Sequence, residues 1–153
     1  ITHDRINFIY IFNKILAMLG NQILESNAII TSDFSKVPDI KYPKLYLESI
    51  LLNLLSNSIR YRSPNRIPEI HFWTEMHTNG IKLMARDNGL GIDLKNNGHR
   101  LFGLGNTFHR HPDSKGVGLF MTKTQIEAVG GSITVESEVD RGSTFIITLN
   151  KNT

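Results

Sequence analysis

Two asparagines four residues apart, Asn53 and Asn57, lie in a stretch whose apolar residues recur at helical spacing. At about 100° per residue, both amides fall on one helix face together with Arg60 and Tyr61. An amide oxygen is a neutral ligand for Mg²⁺, its N–H groups can hold a phosphate oxygen, and a guanidinium adds positive charge. This face predicts a site for a metal-bound polyphosphate. Taken alone, ordinary polar residues on an exposed helix face would give the same pattern.

A carboxylate, Asp87, closes a predicted strand in which it shares a face with the apolar Leu83 and Ala85, while Lys82, Met84 and Arg86 point the other way. Alternate side chains share a face, so we expect the carboxylate to be partly buried at the end of an apolar row and to need hydrogen-bond donors. The amino group of adenine is a suitable donor, and Gly89 and Gly91 would let the ring approach the backbone closely. The alternative is a plain turn, because Asp-Asn-Gly is also a strong turn signal.

Small residues also stand where a later helix is predicted to begin, in the run Gly116-Val117-Gly118-Leu119. Backbone N–H groups at a helix N-terminus lack partners within the helix and favour phosphate oxygens. A lone pair of glycines before a helix is equally typical of a simple turn.

The polar segment 96–115, which precedes these glycines, has few signals of regular structure. Long irregular segments in compact domains are often lids over a site. Arg110 and Lys115 give this one the charge to close over a polyphosphate. We therefore predict a lid here.

The composition limits the class of protein. The chain has 153 residues, 40% of them hydrophobic, a formal net charge of +3 and no cysteine. These values predict one soluble domain over residues 1–153, without disulfides or thiolate metal sites, in a reducing compartment such as the cytoplasm. No apolar run approaches the roughly 20 residues that cross a bilayer. The basic residues are scattered, which argues against a nucleic-acid partner.

The elements that must position these residues can be predicted from periodicity and turn signals. Residues 1–27 should form an N-terminal helix with its connection, residues 32–42 a loop, and Asn79-Gly80 a hairpin turn. The expected fold is a two-layer α/β sandwich, in which a mixed, mostly antiparallel sheet of about five strands packs on three helices. The predicted helices are Asp4–Leu19 (closed by Gly20), Pro43–Tyr61 and Gly116–Ala128, and the predicted strands are Ala28–Thr31, Glu69–Met76, Ile81–Asp87, Ser132–Ser137 and Thr144–Leu149.

Taken together, these segments resemble the ATP-binding catalytic domain of sensor histidine kinases, within the Bergerat-fold group that includes gyrase and MutL ATPases. The resemblance covers about Tyr46 to Leu149, and Ser58 and Arg60 stand where the family usually has alanine and lysine. The matching segments are the N box from Asn53 to Tyr61, the G1 box from Asp87 to Ile92, the F box from Phe102 to Arg110, the G2 box from Gly116 to Leu119, and the final glycine motif from Gly142 to Phe145.

The resemblance implies ATP and Mg²⁺ as ligands. It implies that Asn57 coordinates Mg²⁺, that Asn53 and Arg60 hold phosphates, that Asp87 accepts the adenine amino proton, and that Tyr61 flanks the nucleotide. The other residues that it places at the nucleotide are Gly89, Gly91, Ile92, Arg110, Lys115, Gly116, Val117, Gly118, Leu119 and Thr144.

One position separates a kinase from a hydrolase. The members of the group that hydrolyse ATP have a glutamate one turn before the magnesium asparagine, and this chain has Asn53 there. An amide cannot act as a general base, and Glu48 lies roughly 140° away around the helix. The site should therefore position Mg-ATP for transfer to an external nucleophile without activating water.

The resemblance implies a phosphoacceptor histidine on a separate dimerisation domain of the same parent, a parent homodimer, and a response-regulator receiver domain as partner. His3 is followed by an acidic residue, as in the family's acceptor box, but the residues before the first predicted strand are too few for the two-helix hairpin that carries the acceptor. The expected fragment binds nucleotide and phosphorylates nothing alone. Two alternatives stay open: a regulatory module that has lost ATP, and a serine kinase of the anti-sigma-factor type.

Overall fold

The computed structural model describes residues 3–98, 101–102 and 118–150. Seven strands and five helices follow one another along these residues. The strands are β1 (Asp4–Asn7), β2 (Ile29–Asp33), β3 (Asp39–Tyr42), β4 (Glu69–His77), β5 (Gly80–Asp87), β6 (Ser132–Glu138) and β7 (Gly142–Asn150). The helices are α1 (Phe8–Met18), α2 (Gly20–Ser26), α3 (Lys44–Arg60), α4 (Leu94–Asn97) and α5 (Gly118–Ala128).

Five of the strands form one mixed sheet in the order β2-β4-β5-β7-β6. The β2–β4 pair is parallel and the other three pairs are antiparallel. Strands β4 and β5 form the predicted hairpin, in which His77 faces Gly80. The predicted sandwich with a mostly antiparallel five-stranded sheet is confirmed.

The core lies between one face of this sheet and the helices α1, α3 and α5. From the sheet, Phe72, Leu83, Phe145 and Ile147 are fully buried or nearly so. Helix α3 packs against α1, α2, α5 and β5, which accounts for apolar residues around much of its circumference. The buried apolar residues of α3 are Leu47, Ile50, Leu51, Leu54, Leu55 and Ile59.

The predicted first helix is wrong at its first turn. Asp4–Asn7 forms β1, which pairs with β3, and the helix begins only at Phe8. Asn7 caps it, since its side-chain oxygen accepts a hydrogen bond from the Tyr10 N–H at 3.0 Å. Gly20 begins α2 instead of ending the chain's first helical region. The pairing partner lies more than thirty residues away, so local periodicity could not reveal it.

The predicted loop over residues 32–42 contains β3 and the end of β2. Strand β3 is short, with Ile40 and Tyr42 buried against the rest of the core. Its alternation of buried and exposed residues spans four residues, which is too short to distinguish from a loop by pattern alone. The second, two-stranded sheet of β1 and β3 is therefore an addition to the predicted fold.

Candidate functional site

Asp87 is the last residue of β5 and continues the row of side chains that faces the helices. In the neighbouring strands its register partners are Ile70 of β4 and Ser143 of β7. Leu83 and Ala85, which precede it on the same face, are buried. The predicted position of the carboxylate, at the end of the apolar row and partly buried, is confirmed.

Three donors hold this carboxylate. Oδ1 accepts hydrogen bonds from the Gly89 N–H at 2.9 Å and the Ser143 N–H at 3.3 Å, and Oδ2 accepts one from the Ser58 hydroxyl at 3.0 Å. Burial raises the pKa of Asp87, and these three hydrogen bonds and the positive charge of Arg66 act in the opposite direction. The carboxylate is thus fixed on two sides and keeps acceptor capacity on Oδ2.

Arg66, in the connection between α3 and β4, ties together the loops around Asp87. Its guanidinium donates to the carbonyl oxygens of Asn88, Gly89 and Asp140. The Asn88 side chain makes two further hydrogen bonds there: Oδ1 accepts from the N–H of Glu69 at the start of β4 at 2.9 Å, and Nδ2 donates to the Ile67 carbonyl at 3.0 Å. Sequence reasoning missed Arg66, because an arginine in a connection gives no local sign of three distant carbonyl partners.

At three glycines around Asp87, another segment of backbone lies too close to leave room for a side chain. A Cβ at Gly89 would lie 2.7 Å from the Tyr61 carbonyl oxygen. At Gly91 (φ +72°) a Cβ would overlap the Glu138 carbonyl, and at Gly142 (φ +127°) it would overlap the Asp87 carbonyl. Gly89 and Gly91, which are predicted to let adenine approach the backbone, are thus required, with Gly142, for these loops to pack on one another.

Asn53, Asn57 and Arg60 lie along α3, partly buried, and Tyr61 caps the C-terminus of the helix. Within the part of the chain that the structure describes, the side chains of both asparagines and of Arg60 make no hydrogen bond or ion pair. The carboxylate of Glu48 is engaged by another helix, since it accepts a hydrogen bond at 2.9 Å from Lys14 of α1. The polar groups predicted to hold phosphates therefore have no side-chain partner among the described residues.

The start of α5 meets this face of α3. A Cβ at Gly118 would lie 3.9 Å from the side-chain amide carbon and oxygen of Asn53. Leu119 follows in the first turn and packs against the core. The structure thus brings the end of the predicted G2 box to Asn53, as a phosphate site shared by the two helices requires.

The last glycine motif reaches the site through a different residue from the predicted one. Thr144 pairs with Arg86, so its side chain lies on the outer face of the sheet, away from the helices. Ser143 lies on the face of Asp87 and donates its N–H to the carboxylate. Ile92 is held by its N–H, which donates to the Ser137 hydroxyl at 2.8 Å.

The remaining predicted residues Arg110, Lys115, Gly116 and Val117 lie outside the described residues, as does most of segment 96–115. At the start of that segment, the described structure contains the short helix α4 and the buried side chain of Leu101. The proposed lid therefore stays a prediction.

The donor set of α3 fits Mg²⁺ held largely by a nucleotide. Among residues 3–98, 101–102 and 118–150 no group of three or more histidine, cysteine or acidic side chains could hold a metal ion. Magnesium in nucleotide sites commonly takes one or two protein ligands and completes its shell with phosphate oxygens and water. The side-chain carbonyl of Asn57, which has no partner among the described residues, fits the role of such a ligand, and the neighbouring Asn53 amide and Arg60 guanidinium suit the phosphates.

A cavity of about 460 Å³ opens on the outer face of the sheet, on the other side of β5. His71, Arg86 and Arg141 are among its lining residues, and none of its lining residues belongs to α3 or α5. Asp87 and Asn88 also line this cavity, which therefore adjoins the carboxylate of the predicted base site but does not include the asparagine face of α3.

Comparison with known proteins gives one family. The family model of histidine kinase-, DNA gyrase B- and HSP90-like ATPases matches residues 43–153. This match covers more than half of the chain and includes every segment from α3 to β7. Among the described residues, no helix is long and apolar enough to span a membrane.

Similarity to curated proteins supports the same family. Cyanobacterial phytochrome A of Nostoc is 33% identical over 139 residues, which cover 90% of this chain and 18% of the relative. The methanogenesis regulatory histidine kinase FilI of Methanothrix harundinacea is 33% identical over 126 residues, covering 82% of this chain and 14% of the relative. The chain thus spans less than a fifth of the length of these multidomain relatives.

Solved structures agree on the fold. The nucleotide-free catalytic domain of histidine kinase ThkA superposes with a TM-score of 0.79 at 17% identity, covering 99% of this chain and all of that one. The mycobacterial sensor histidine kinase MprB gives a TM-score of 0.81 at 17% identity, covering 97% and 99%. The chain belongs to the family of histidine kinase-, DNA gyrase B- and HSP90-like ATPases, as an ATP-binding domain of the sensor histidine kinase type.

Proposed function

We propose that this domain binds Mg-ATP and positions its γ-phosphoryl group for transfer to a histidine on a separate phosphoacceptor and dimerisation domain of the same parent. The observation that carries the proposal is the joint placement of an oriented carboxylate at Asp87 and, on the adjoining helix, the amides of Asn53 and Asn57, which have no side-chain partner among the described residues. One end of the site suits a base and the other a polyphosphate.

The base end recognises adenine through Asp87. Oδ2 of the carboxylate accepts a hydrogen bond from the 6-amino group, while the N–H groups of Gly89 and Ser143 hold Oδ1 in place. Tyr61 and Ile92 border the base. Guanine carries an oxygen at the 6-position, which would face a carboxylate oxygen without a hydrogen between them, so adenine is favoured.

The phosphate end holds the triphosphate between α3 and the start of α5. Asn57 supplies the amide oxygen for Mg²⁺, and Asn53 and Arg60 bind phosphate oxygens, with the N-terminus of α5 at Gly118 beside them. Magnesium, when bound, neutralises charge on the phosphates. Arg110, Lys115, Gly116 and Val117 would complete the enclosure from the lid.

The domain transfers the phosphoryl group without hydrolysing ATP. An imidazole nitrogen of the acceptor forms the new N–P bond, the bond from the γ-phosphorus to the bridging oxygen breaks, ADP leaves, and the imidazole proton passes to solvent. Asn53 has no basic group to activate water, and Glu48 is paired with Lys14 on the far side of the helix.

We place the acceptor outside this chain. His3 directly precedes β1 and therefore does not lie on a helical hairpin. The parent is proposed to be a homodimer that passes the phosphoryl group on to a receiver domain of a response regulator, with this domain in the cytoplasm. Multidomain relatives such as the sensor protein SrrB of Staphylococcus aureus support this arrangement.

The test is calorimetric titration of ATP and ADP into this chain, with and without Mg²⁺. Wild type should bind in the micromolar to millimolar range, and Asp87→Asn should bind at least about 30-fold more weakly, because its amide N–H meets the adenine amino group. Asp39→Asn is the matched control, since Asp39 lies on β3 and bonds Asn7.

Absence of nucleotide binding at millimolar ATP would favour the regulatory module instead. Rapid hydrolysis of Mg-ATP by the domain would contradict the kinase mechanism. Transfer of phosphate to His3 of the isolated chain would contradict the separate acceptor.

A further inference from the structure

The hydroxyl of Ser58 occupies a position that matters for base recognition. Ser58 lies on α3 and is 5% exposed, and its hydroxyl donates to Oδ2 of Asp87 on β5 at 3.0 Å. The two residues are 29 positions apart in the chain. A family member with the usual alanine at this position would have no such donor.

The three hydrogen bonds leave the carboxylate a single direction for accepting another donor. Each carboxylate oxygen has about two acceptor positions. The Gly89 and Ser143 N–H groups use both positions of Oδ1, and Ser58 uses one of the two on Oδ2. The acceptor position that remains on Oδ2 then points in one direction, as recognition of a single amino group requires.

The same hydrogen bond joins the two ends of the site. Ser58 directly follows Asn57 on α3, while Asp87 terminates the central strand β5. A donor at this position therefore fixes the carboxylate relative to the helix that carries the phosphate-binding amides. The distance between the two ends must match the distance from base to phosphates in the bound nucleotide.

We propose that Ser58 is a positioning residue for base recognition, whose hydroxyl holds the Asp87 carboxylate in the orientation that accepts the 6-amino group of adenine. The proposal rests on the proposed function, since it assumes that Asp87 contacts the base. Ser58 acts through Asp87 and needs no contact with the nucleotide.

The surroundings of Asp87 decide what the loss of this hydroxyl would do. Arg66 supplies positive charge from the α3–β4 connection, and the groups that face the carboxyl from β4, β7 and α3 are the neutral Ile70, Ser143 and Ser58. The Ser58 hydrogen bond lowers the pKa of Asp87 against the effect of burial. Without it the carboxyl protonates at higher pH, and a protonated carboxyl can donate to a 6-keto group.

The experiment compares Ser58→Ala with wild type in calorimetric titrations of ADP and inosine diphosphate between pH 5 and pH 8. At pH 7.5 we expect ADP to bind about 3- to 10-fold more weakly to Ser58→Ala, as for loss of one hydrogen bond. As pH is lowered, ADP affinity should begin to fall at a higher pH in Ser58→Ala than in wild type. The preference for ADP over inosine diphosphate should also fall. Ser56→Ala is the control, because its hydroxyl bonds the Asn53 carbonyl within the same helix.

If both nucleotides bind more weakly by the same factor and the pH dependence of ADP binding is unchanged, the proposal is overturned, since this would indicate loss of packing alone. Affinities for ADP and inosine diphosphate that equal those of wild type at every pH would overturn the proposal as well. If wild type binds no ADP, the proposed function fails, and a carbon-13 NMR titration of the Asp87 carboxyl still tests the link. There, an unchanged pKa of Asp87 in Ser58→Ala would show that the hydroxyl does not act on the carboxylate.

Discussion

The two ends of the site differ in how much of their hydrogen bonding the protein itself satisfies. At the base end, Asp87 has three protein donors and the surrounding loops are joined by Arg66. At the phosphate end, the side chains of Asn53 and Asn57 have no hydrogen-bond partner among the described residues. Among the described residues, the protein thus satisfies the carboxylate itself, whereas the two amides are proposed to find their partners in the ligand and metal.

This difference fits what each end is proposed to recognise. A base is rigid and neutral, so a fixed acceptor discriminates well between amino and keto groups. A triphosphate with Mg²⁺ is flexible and highly charged, and its binding groups can be ordered by the ligand. Mutations at the base end should therefore affect folding, and mutations at the phosphate end should affect binding alone.

The largest effect is expected for Gly142→Ala at the base end. The new Cβ would overlap the Asp87 carbonyl, and the backbone there has φ +127°. We expect a loss of about 3 kcal/mol or more in the free energy of unfolding, measured by urea denaturation. Gly130→Ala is the control, with φ +82° but nothing within 4 Å, and should cost about 1 kcal/mol. Equal costs would mean that crowding at Asp87 is unimportant.

Arg66→Met should come next. It keeps the length of the side chain and removes the guanidinium from the Asn88, Gly89 and Asp140 carbonyls. We expect a loss of about 1–3 kcal/mol in urea denaturation, together with weaker ADP binding. Arg62→Met removes a guanidinium with one described carbonyl partner, Ile59, and should cost less than about 1 kcal/mol. A loss no larger than that of the control would deny that Arg66 joins the loops.

Asn57→Ala tests the phosphate end. Since its side chain has no described hydrogen-bond partner and alanine favours helices, the free energy of unfolding should change by less than about 0.5 kcal/mol. The Mg²⁺-dependent part of ATP affinity should fall about 10-fold in calorimetry. A large loss in the free energy of unfolding would show that the Asn57 side chain also stabilises the fold. It would contradict the proposed difference between the two ends.

The smallest effect concerns the pH dependence of stability. Burial raises the pKa of Asp87 in the folded protein, so the folded state favours the protonated carboxyl. The stabilisation that this group gives to the folded state is therefore fully present below the unfolded pKa and is lost as pH rises through the folded pKa. Asp87→Asn avoids the ionised form, and its amide can still bond Gly89, Ser143 and Ser58. Thermal unfolding at pH 7.5 should show the variant melting up to a few degrees above wild type, with the difference shrinking toward pH 4. A lower melting temperature at pH 7.5 would contradict this sign.

Local patterns predicted the elements that carry the site. The helical repeat from Leu47 to Ile59 and the alternation before Asp87 each define a face, so the positions of the asparagines and of the carboxylate followed directly. The turn signal at Asn79-Gly80 predicted the hairpin of β4 and β5. These features depend on neighbours within about ten residues.

Three of the misses involve partners that are distant in the chain. Strand β1 exists because Asp4–Asn7 pairs with Asp39–Tyr42. Register assigned Ser143 instead of Thr144 to the face of Asp87. Arg66 matters because three segments of the chain place their carbonyl oxygens around it.

The sequence by itself determined the residue types of the site and the faces on which they lie, because amide, carboxylate and glycine chemistry and the periods of helix and strand are local properties. Only the tertiary structure decided which groups the protein satisfies internally and which it leaves to a ligand. That outcome depends on whether a donor such as Ser58 arrives within hydrogen-bond distance of Asp87. Distances between remote segments are set by packing of the whole core, which no local pattern contains.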